Sequence, residues 1–493
     1  MNQEKAPLFE ALAERRRRRD ASFHVPGHKF GASLQGEEKA FFGSVMEIDY
    51  TEIEGLDDLH HPEGPILEAQ RLAAECFGAE ETFFLVGGST VGNLALIGAV
   101  CQPEELILVQ RNAHKSVIHA LMLARVQAVM LEPEVDRRTG IAGGVAPGTL
   151  QTALERYPRA KAVFLTNPNY YGMGWDLELY ARMAHGAGMA LLVDEAHGAH
   201  FGLHPGVPVS ALARGADGVV QSTHKMLTAM TMGAMLHVQG SRVPRDRLRE
   251  RLAMLQSSSP SYPIMASLDI ARRYAATRAG AEIGAGLKAL SRFRETLAGL
   301  PSQGVRLLEP SPESNAYSFW DPFKLVLEDA GGLRTGFQLL DVLAVGGIAG
   351  EMADERYAVL AASPATGRED LERLAGAIAA MAVGPACGDC EATAAASAVP
   401  GAMAAAADPV SGPVAMGASG VDRGERLALE AAVGHLAAQS VVPYPPGIPL
   451  LIPGEVITAA AAERILRLYR AGAKFQGAPP GPGCSILVTR QDK

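Results

Sequence analysis

From about residue 65 to 240, short apolar or β-branched runs alternate with longer helix-compatible stretches: TFFLV (82–86), LILV (106–109), AVFLT (162–166), ALLV (190–193) and GVV (218–220). Strands separated by segments of helix length pair in parallel, since the crossover must return to the same end of the sheet, and the helices then cover both faces. The expected fold class is therefore α/β. Ligands of such sheets bind beyond the carboxyl ends of the strands. The residues that follow each run are the ones to examine.

After TFFLV comes Gly87-Gly88-Ser89-Thr90-Val91-Gly92-Asn93, leading into the helical ALIGAV. Glycines ahead of a helix let backbone N–H groups approach a phosphate, and the helix dipole favours its charge. Taken alone, the same letters also describe a plain N-cap. They spell neither GxxxxGK[ST] nor GxGxxG. After LILV comes Gln110-Arg111-Asn112-Ala113-His114-Lys115-Ser116, where His114 could stack on a planar ligand or simply bond within its loop.

After ALLV comes Asp194-Glu195-Ala196-His197-Gly198-Ala199-His200. The first four residues match a helicase acidic box, but no phosphate loop with its lysine precedes them. His197, His200 and His204 suggest zinc, but a strand end does not converge such ligands as i, i+4 spacing on a helix does. A third reading needs only Asp194, a carboxylate aimed at a cationic ring nitrogen. After the next βα unit, GVV leads to Gln221-Ser222-Thr223-His224-Lys225. A lysine buried there has its pKa depressed by desolvation, the condition for a Schiff-base lysine; the alternative is a side chain that snorkels to solvent. Together, a phosphate cradle at 87–93, a stacker at His114, an acid at Asp194 and an amine at Lys225 meet the requirements of pyridoxal 5′-phosphate: phosphate anchor, ring clamp, protonated pyridine and captured aldehyde.

The remaining text narrows the class. With 48% apolar and 20% charged residues over 493 positions, the chain can bury a large core and divide into domains. A net charge of −9 argues against nucleic acid or anionic membrane as partner. The arginine run Arg15 to Arg19 reads as a solvated helix end closed by Asp20. Neither a membrane-length apolar run nor a signal-peptide core is present, so a cytoplasmic location is expected. Five scattered cysteines do not form a disulfide framework, and Cys387-Gly-Asp-Cys390 lacks the second pair or histidine that a metal site needs. Residues 276–383 read as a smaller α+β domain. Residues 384–424, rich in Ala, Gly, Pro and Ser, read as a flexible linker. Order is expected to return at Glu425 with a helix, followed by the proline-punctuated VVPYPPGIPLLIPGE.

Longer motifs carry a family resemblance. FHVPGHKFG (23–31), LDDLHHPEGPI (56–66), FFLVGGSTVGN (83–93), RNAHKS (111–116), LTNPNYYGMGWD (165–176), VDEAHGAHFG (193–202), QSTHKMLTAMTMGA (221–234) and MLQSSSPSYPIMASLD (254–269) resemble the class I Orn/Lys/Arg decarboxylases. The match is with their shorter, arginine-decarboxylase-like bacterial members. It is dense over 20–275 and looser near 334–354 and 441–456. The resemblance implies the aspartate-aminotransferase fold (PLP fold type I, with a mainly parallel seven-stranded-type sheet). The reaction it implies is decarboxylation of a basic amino acid: arginine to agmatine first, lysine or ornithine next, within polyamine metabolism.

Carried over residue by residue, Lys225 would form the imine, with His224 and Ser222 beside it at the cofactor. Ser89 and Thr90 would bind phosphate, His114 would stack on the ring, Asp194 would pair with its nitrogen, and His197 would lie near ring and substrate carboxylate. Glu351 and Glu455 would meet the substrate's distal cation. Family members complete the site across a dimer interface, so Ser257-Ser258-Ser259 would serve a neighbouring subunit in a homo-oligomer that is at least a dimer. The longer members' N-terminal wing domain has no counterpart here, so decamers of their kind are not expected. The implied organisation is an N-terminal arm (1–49), a cofactor-binding large domain (50–275), a small domain (276–383), the linker (384–424) and a C-terminal segment (425–493). Asp194 and Lys225 by themselves would also suit an aminotransferase, a carbon–sulfur lyase or a catalytically idle paralogue.

Overall fold

The computed structural model describes residues 1–299, 304–383, 408–417, 424–444, 446–470, 472–477 and 484–489. The large domain contributes β1 (Glu81–Leu85), β2 (Leu106–Gln110), β3 (Gln127–Leu131), β4 (Ala162–Thr166), the short β5 (Met173–Gly174), β6 (Ala190–Asp194), β7 (Gly218–Gln221) and β8 (Ala234–Val238). Their sheet runs β1-β8-β7-β6-β4-β2-β3. The central pairings are parallel, and β8 is antiparallel to both β1 and β7. Every predicted run is a strand; β3 and β8 are additions.

Neighbouring residues on one strand enter different cores, as the two-residue period of a strand requires. Val109, Phe164, Leu192 and Val220 pack with helices Gly88–Val100, Lys115–Ala124 and Arg245–Leu255, while Leu108, Val163, Leu191 and Val219 pack with helices Pro147–Arg156 and Glu178–Gly186. With both faces covered, the strands read as continuous apolar runs.

The small domain is an antiparallel sheet. β9 (Val305–Leu307), β11 (Lys324–Asp329), β12 (Met352–Ala353) and β13 (Tyr357–Ala361) assemble in the order β12-β13-β11-β9 against helices Ala279–Ala298, Gly336–Val345 and Arg368–Val383, while β10 (Phe319–Trp320) pairs back to β5 of the large domain. That pairing and the shared core of the long helix tie the small domain to the large one, next to the loops after β4 and β6. At the other end of the chain, the N-terminal helix Pro7–Arg18 is held by Asp269, whose carboxylate accepts from the N–H groups of Leu8 and Phe9. It ends as the arginine run suggests, with Arg15 and Arg18 both on Asp20 at 3.1 and 3.3 Å.

Two expectations change. Within the 384–424 segment, residues 410–415 are a strand, β14 (Val410–Ala415), antiparallel to β3 and extending the main sheet to eight. The unpaired edge of β3 supplies hydrogen-bond partners that composition does not reveal, and Pro413 fits an edge strand with a shifted register. Residues 384–407, with Cys387 and Cys390, lie outside the described residues. Order after the segment begins with a strand rather than a helix: β15 (Gly424–Ala428) pairs with β18 (Ser485–Thr489), and β16 (Val441–Pro443) with β17 (Phe475–Gly477). Cross-strand pairing overrides the helix preference of ERLALE. The helix of this segment is Ala459–Arg470.

Candidate active site

Strands β1, β2, β4, β6 and β7 deliver their following loops to one edge of the sheet. After β1, Gly88 at φ +72 turns the chain into the helix Gly88–Val100, and Gly87 offers no side-chain cap. The first-turn N–H groups, with the hydroxyls of Ser89 and Thr90, form a donor set for an anion. After β7, Ser222 is fully buried and its hydroxyl has no partner. Asn93 also keeps an unpartnered buried carbonyl oxygen, and Thr166, at the end of β4, an unpartnered hydroxyl. Buried orphans cost free energy unless a ligand satisfies them. Three of them around a Gly-rich turn, an acid and an amine fit pyridoxal phosphate.

The acid is Asp194, the last residue of β6, 3% exposed. Asn93 Nδ2 donates to Oδ2 at 2.9 Å and the Ala196 N–H to Oδ1 at 3.0 Å. Burial raises its pKa, against which Lys225, Asn93 and Ala196 pull down. Asn93 Nδ2 also donates to Ser116 Oγ at 2.9 Å, and Ser116 Oγ lies 2.8 Å from His114 Nδ1. His114 caps the helix Lys115–Ala124 by accepting the Ser116 N–H at Nδ1. Its Nδ1 is therefore an acceptor, and burial, with the charges of Lys225 and Lys115, lowers its pKa to about 3. A neutral, fixed imidazole is the form suited to stacking. The C-terminal segment lies against this ring: Gly447 (φ +91) accepts from the Lys115 N–H at 2.9 Å, and a side chain there would press on His114 at 3.1 Å.

Lys225 follows β7 on a single helical turn, Thr223–Met226. Its Nζ lies 3.0 Å from His197 Nε2 and 5.8 Å from the Tyr170 ring centre. Burial lowers its pKa to about 8, opposed by Asp194 and Glu351 and reinforced by Lys324. His224 bonds the Gly233 carbonyl through Nδ1 at 3.0 Å, and burial lowers its pKa too. His197 is 5% exposed, stacks at a tilt on Tyr170 (4.8 Å, 58°), and has Lys324 Nζ at 3.2 Å from Nδ1. Burial and two lysines keep the ring well below its ordinary pKa, hence neutral.

The structure thus gathers the predicted Ser89, Asp194, His197, Ser222, His224 and Lys225, with His114 joined through Asn93. Thr90 sits exposed at the rim. Glu351 is exposed just ahead of β12, near enough for its charge to raise the pKa of Lys225 and of Lys324. Glu455 is placed otherwise. Both of its oxygens take Arg111, at 2.8 Å each, and Oε2 accepts the Ile452 N–H. Arg111 further donates to the carbonyls of Pro449 and Leu450. With both oxygens in use, Glu455 docks the C-terminal segment on the large domain. Arg111→Ala leaves that carboxylate unpaired at 20% side-chain exposure, and should destabilise the protein by about 2–4 kcal/mol. Urea denaturation read against wild type checks this.

Other histidines have local work. His200 pairs with Asp321 at 3.2 Å with both side chains fully buried, and His204 caps the Gly206 N–H. Among the described residues no group of His, Cys, Asp and Glu is arranged to hold a metal. Ser257, Ser258 and Ser259 form an exposed turn whose Ser257 carbonyl bonds His60 at 2.9 Å. Three residues of the site carried no sequence assignment: Asn93, Tyr170 and Lys324. The rule of examining residues after strands reaches the first two, in GGSTVGN and NPNY; nothing local marks Lys324.

Comparison with known proteins identifies the family. Residues 6–332 match the Orn/Lys/Arg decarboxylase major domain, and residues 403–486 match the C-terminal domain of the same family. An uncharacterized protein of Bacillus subtilis (strain 168), YaaO, is 42% identical over 473 residues, 96% of each chain. The arginine decarboxylase of the same organism is 34% identical over 498 residues, covering 100% of this chain and 99% of that one. In fold, the E. coli constitutive lysine decarboxylase superposes with a TM-score of 0.78 at 19% identity, over 99% of this chain and 82% of its own. On these matches, in both of its domains and over its full length, the chain belongs to the Orn/Lys/Arg decarboxylase family.

Proposed function

We propose that this protein is a pyridoxal-phosphate-dependent decarboxylase that converts arginine to agmatine and CO2. The observation that carries the reading is Lys225, an inward-turned amine whose pKa is lowered to about 8 by burial, between His197 and the field of Asp194. The curated relatives that the chain matches along nearly its whole length include arginine decarboxylases, which favours arginine over lysine or ornithine.

The cofactor supplies the electron sink that lets a carboxylate leave from Cα. The chain's own residues do the rest. Ser89, Thr90, Ser222 and His224 would hold the phosphate end, His114 would cover the ring, and Asp194 would keep the ring nitrogen protonated. Lys225 would offer its amine to the cofactor's aldehyde. The net reaction replaces a carboxylate with a proton at Cα, so a donor must stand at the reacting face. Lys225 Nζ and His197 Nε2, 3.0 Å apart, are placed for that.

Glu351 faces the distal cation of the substrate. Glu351→Gln should raise KM for arginine about two- to fivefold with kcat within a factor of about two, because an exposed carboxylate contributes binding common to ground and transition states; steady-state kinetics decides it. The protein acts in the cytoplasm as a homo-oligomer, at least a dimer. In support, Phe23, Phe41 and Phe42 stand 97%, 77% and 60% exposed on the N-terminal arm, an apolar surface that a partner subunit would cover, and the exposed Ser257-Ser258-Ser259 turn is free to reach a neighbour's site. Among the described residues no helix is long and apolar enough to cross a membrane.

The test is product analysis with carboxyl-labelled arginine, lysine and ornithine. Labelled CO2 with agmatine is expected. Cadaverine or putrescine as the preferred product would reassign the substrate, and a keto acid without gas would make the protein an aminotransferase.

A further inference from the structure

Two buried lysines share one imidazole. His197 receives Lys225 at Nε2 and Lys324 at Nδ1, at 3.0 and 3.2 Å. Lys225 comes from the large domain, whereas Lys324, 4% exposed, opens β11 of the small one. Proton counting limits what this trio can be. An ammonium only donates, an imidazolium donates at both nitrogens, and a neutral imidazole donates at one and accepts at the other. Two ammonium groups would require lone pairs on both ring nitrogens, an imidazolate that neutral pH does not reach. With both hydrogen bonds made, the trio therefore holds at most a single positive charge, on one lysine or on the ring.

The surroundings decide where it sits. The ring is faced by Lys225, Lys324, His114, His224 and Tyr170, none of them anionic, so it is not the ring. Burial lowers the pKa of Lys324, and against that stand Asp321, whose backbone carbonyl also accepts the Lys324 N–H at 3.1 Å, and Glu351. Burial works against the Asp321 charge, but His200, Lys324 and the Phe323 N–H outweigh it and keep the carboxylate ionised. Lys225 has Asp194, whose own charge burial opposes, and Lys225 must present a lone pair to react.

We propose that Lys324 is a positioning residue: its ammonium donates to His197 Nδ1 and so fixes the Nε2–H tautomer, aiming the one proton of the ring at Lys225 and the reacting end of the substrate. The second hydrogen bond of a histidine sets which nitrogen faces the chemistry. This rests on Lys225 as the reacting amine.

The test is the nitrogen spectrum of full-length holoenzyme labelled with 15N-histidine, with His197 assigned by its loss in His197→Gln. Wild type is expected to show Nε2 protonated and Nδ1 bare. Lys324→Met is expected to lose that pattern and to lower kcat about 100-fold, with KM for arginine changed less than about threefold; a packing role alone would leave the tautomer where it was. A proton on Nδ1 or a cationic ring in wild type, or an unchanged tautomer in Lys324→Met, overturns the proposal. The wild-type spectrum decides even if the variant does not fold. It is read without turnover, so absence of CO2 release would sink the decarboxylase reading and not this one.

Discussion

Lys225→Ala is expected to lower CO2 release on the order of 10⁴-fold or more and to abolish the covalently held cofactor in the same variant. The two losses should come together because one nitrogen serves both. An amine with a pKa near 8 is already partly neutral near pH 7, so it can attack an aldehyde without a separate base. No neighbour can replace it. Lys324 Nζ is held on the far nitrogen of His197, and His224 is tied to the Gly233 carbonyl. Borohydride reduction followed by peptide mass spectrometry should place the cofactor adduct on Lys225 in wild type and nowhere in the variant. An adduct on another lysine, or undiminished gas release from Lys225→Ala, would remove the basis of the functional reading.

That half of the site was legible because it is made of local segments repeated on one plan. Asp194 ends a strand of the mainly parallel sheet, Ser89, His114 and Lys225 each come in the loop or turn just beyond one, and the sheet brings strand ends together whatever their separation along the chain. Strands β3 and β8 escaped notice for a different reason. QAVML and AMLHV are short apolar runs that periodicity alone does not separate from buried helix. Lys324 was out of reach, since it meets His197 only after the small domain docks, and DPFK carries no local sign of that partner. Glu455 shows the limit of resemblance: a loop carboxylate intended for a ligand reads no differently from one intended for Arg111. Strand β14 shows the limit of composition, because VSGPVA is ordered by the free edge of β3 and not by its own apolar content.

Asp194→Asn should separate attachment from catalysis. The substitution keeps the shape of a residue that is 3% exposed and removes its charge. Lys225 then loses the neighbour that most raises its pKa, so its amine becomes more neutral, not less, and borohydride should still trap the cofactor there. Catalysis should nevertheless fall by about 10²–10⁴ in kcat, since nothing remains to hold the ring nitrogen cationic while charge develops at Cα. Stability should move the other way. The folded-state pKa of Asp194 is raised by burial, so the group favours the folded state below its unfolded pKa, and that contribution is lost as pH rises through the folded value. Above that folded value the ionised carboxylate is thus a net cost in the cofactor-free protein. Asp194→Asn apoprotein should melt no lower than wild type, while wild type gains more from added pyridoxal phosphate because only it offers the ring nitrogen a carboxylate. Thermal melts with and without cofactor, set beside the trapped-adduct yield and kcat, test the three effects separately. A variant that keeps wild-type kcat would mean that the ring nitrogen is not what Asp194 serves.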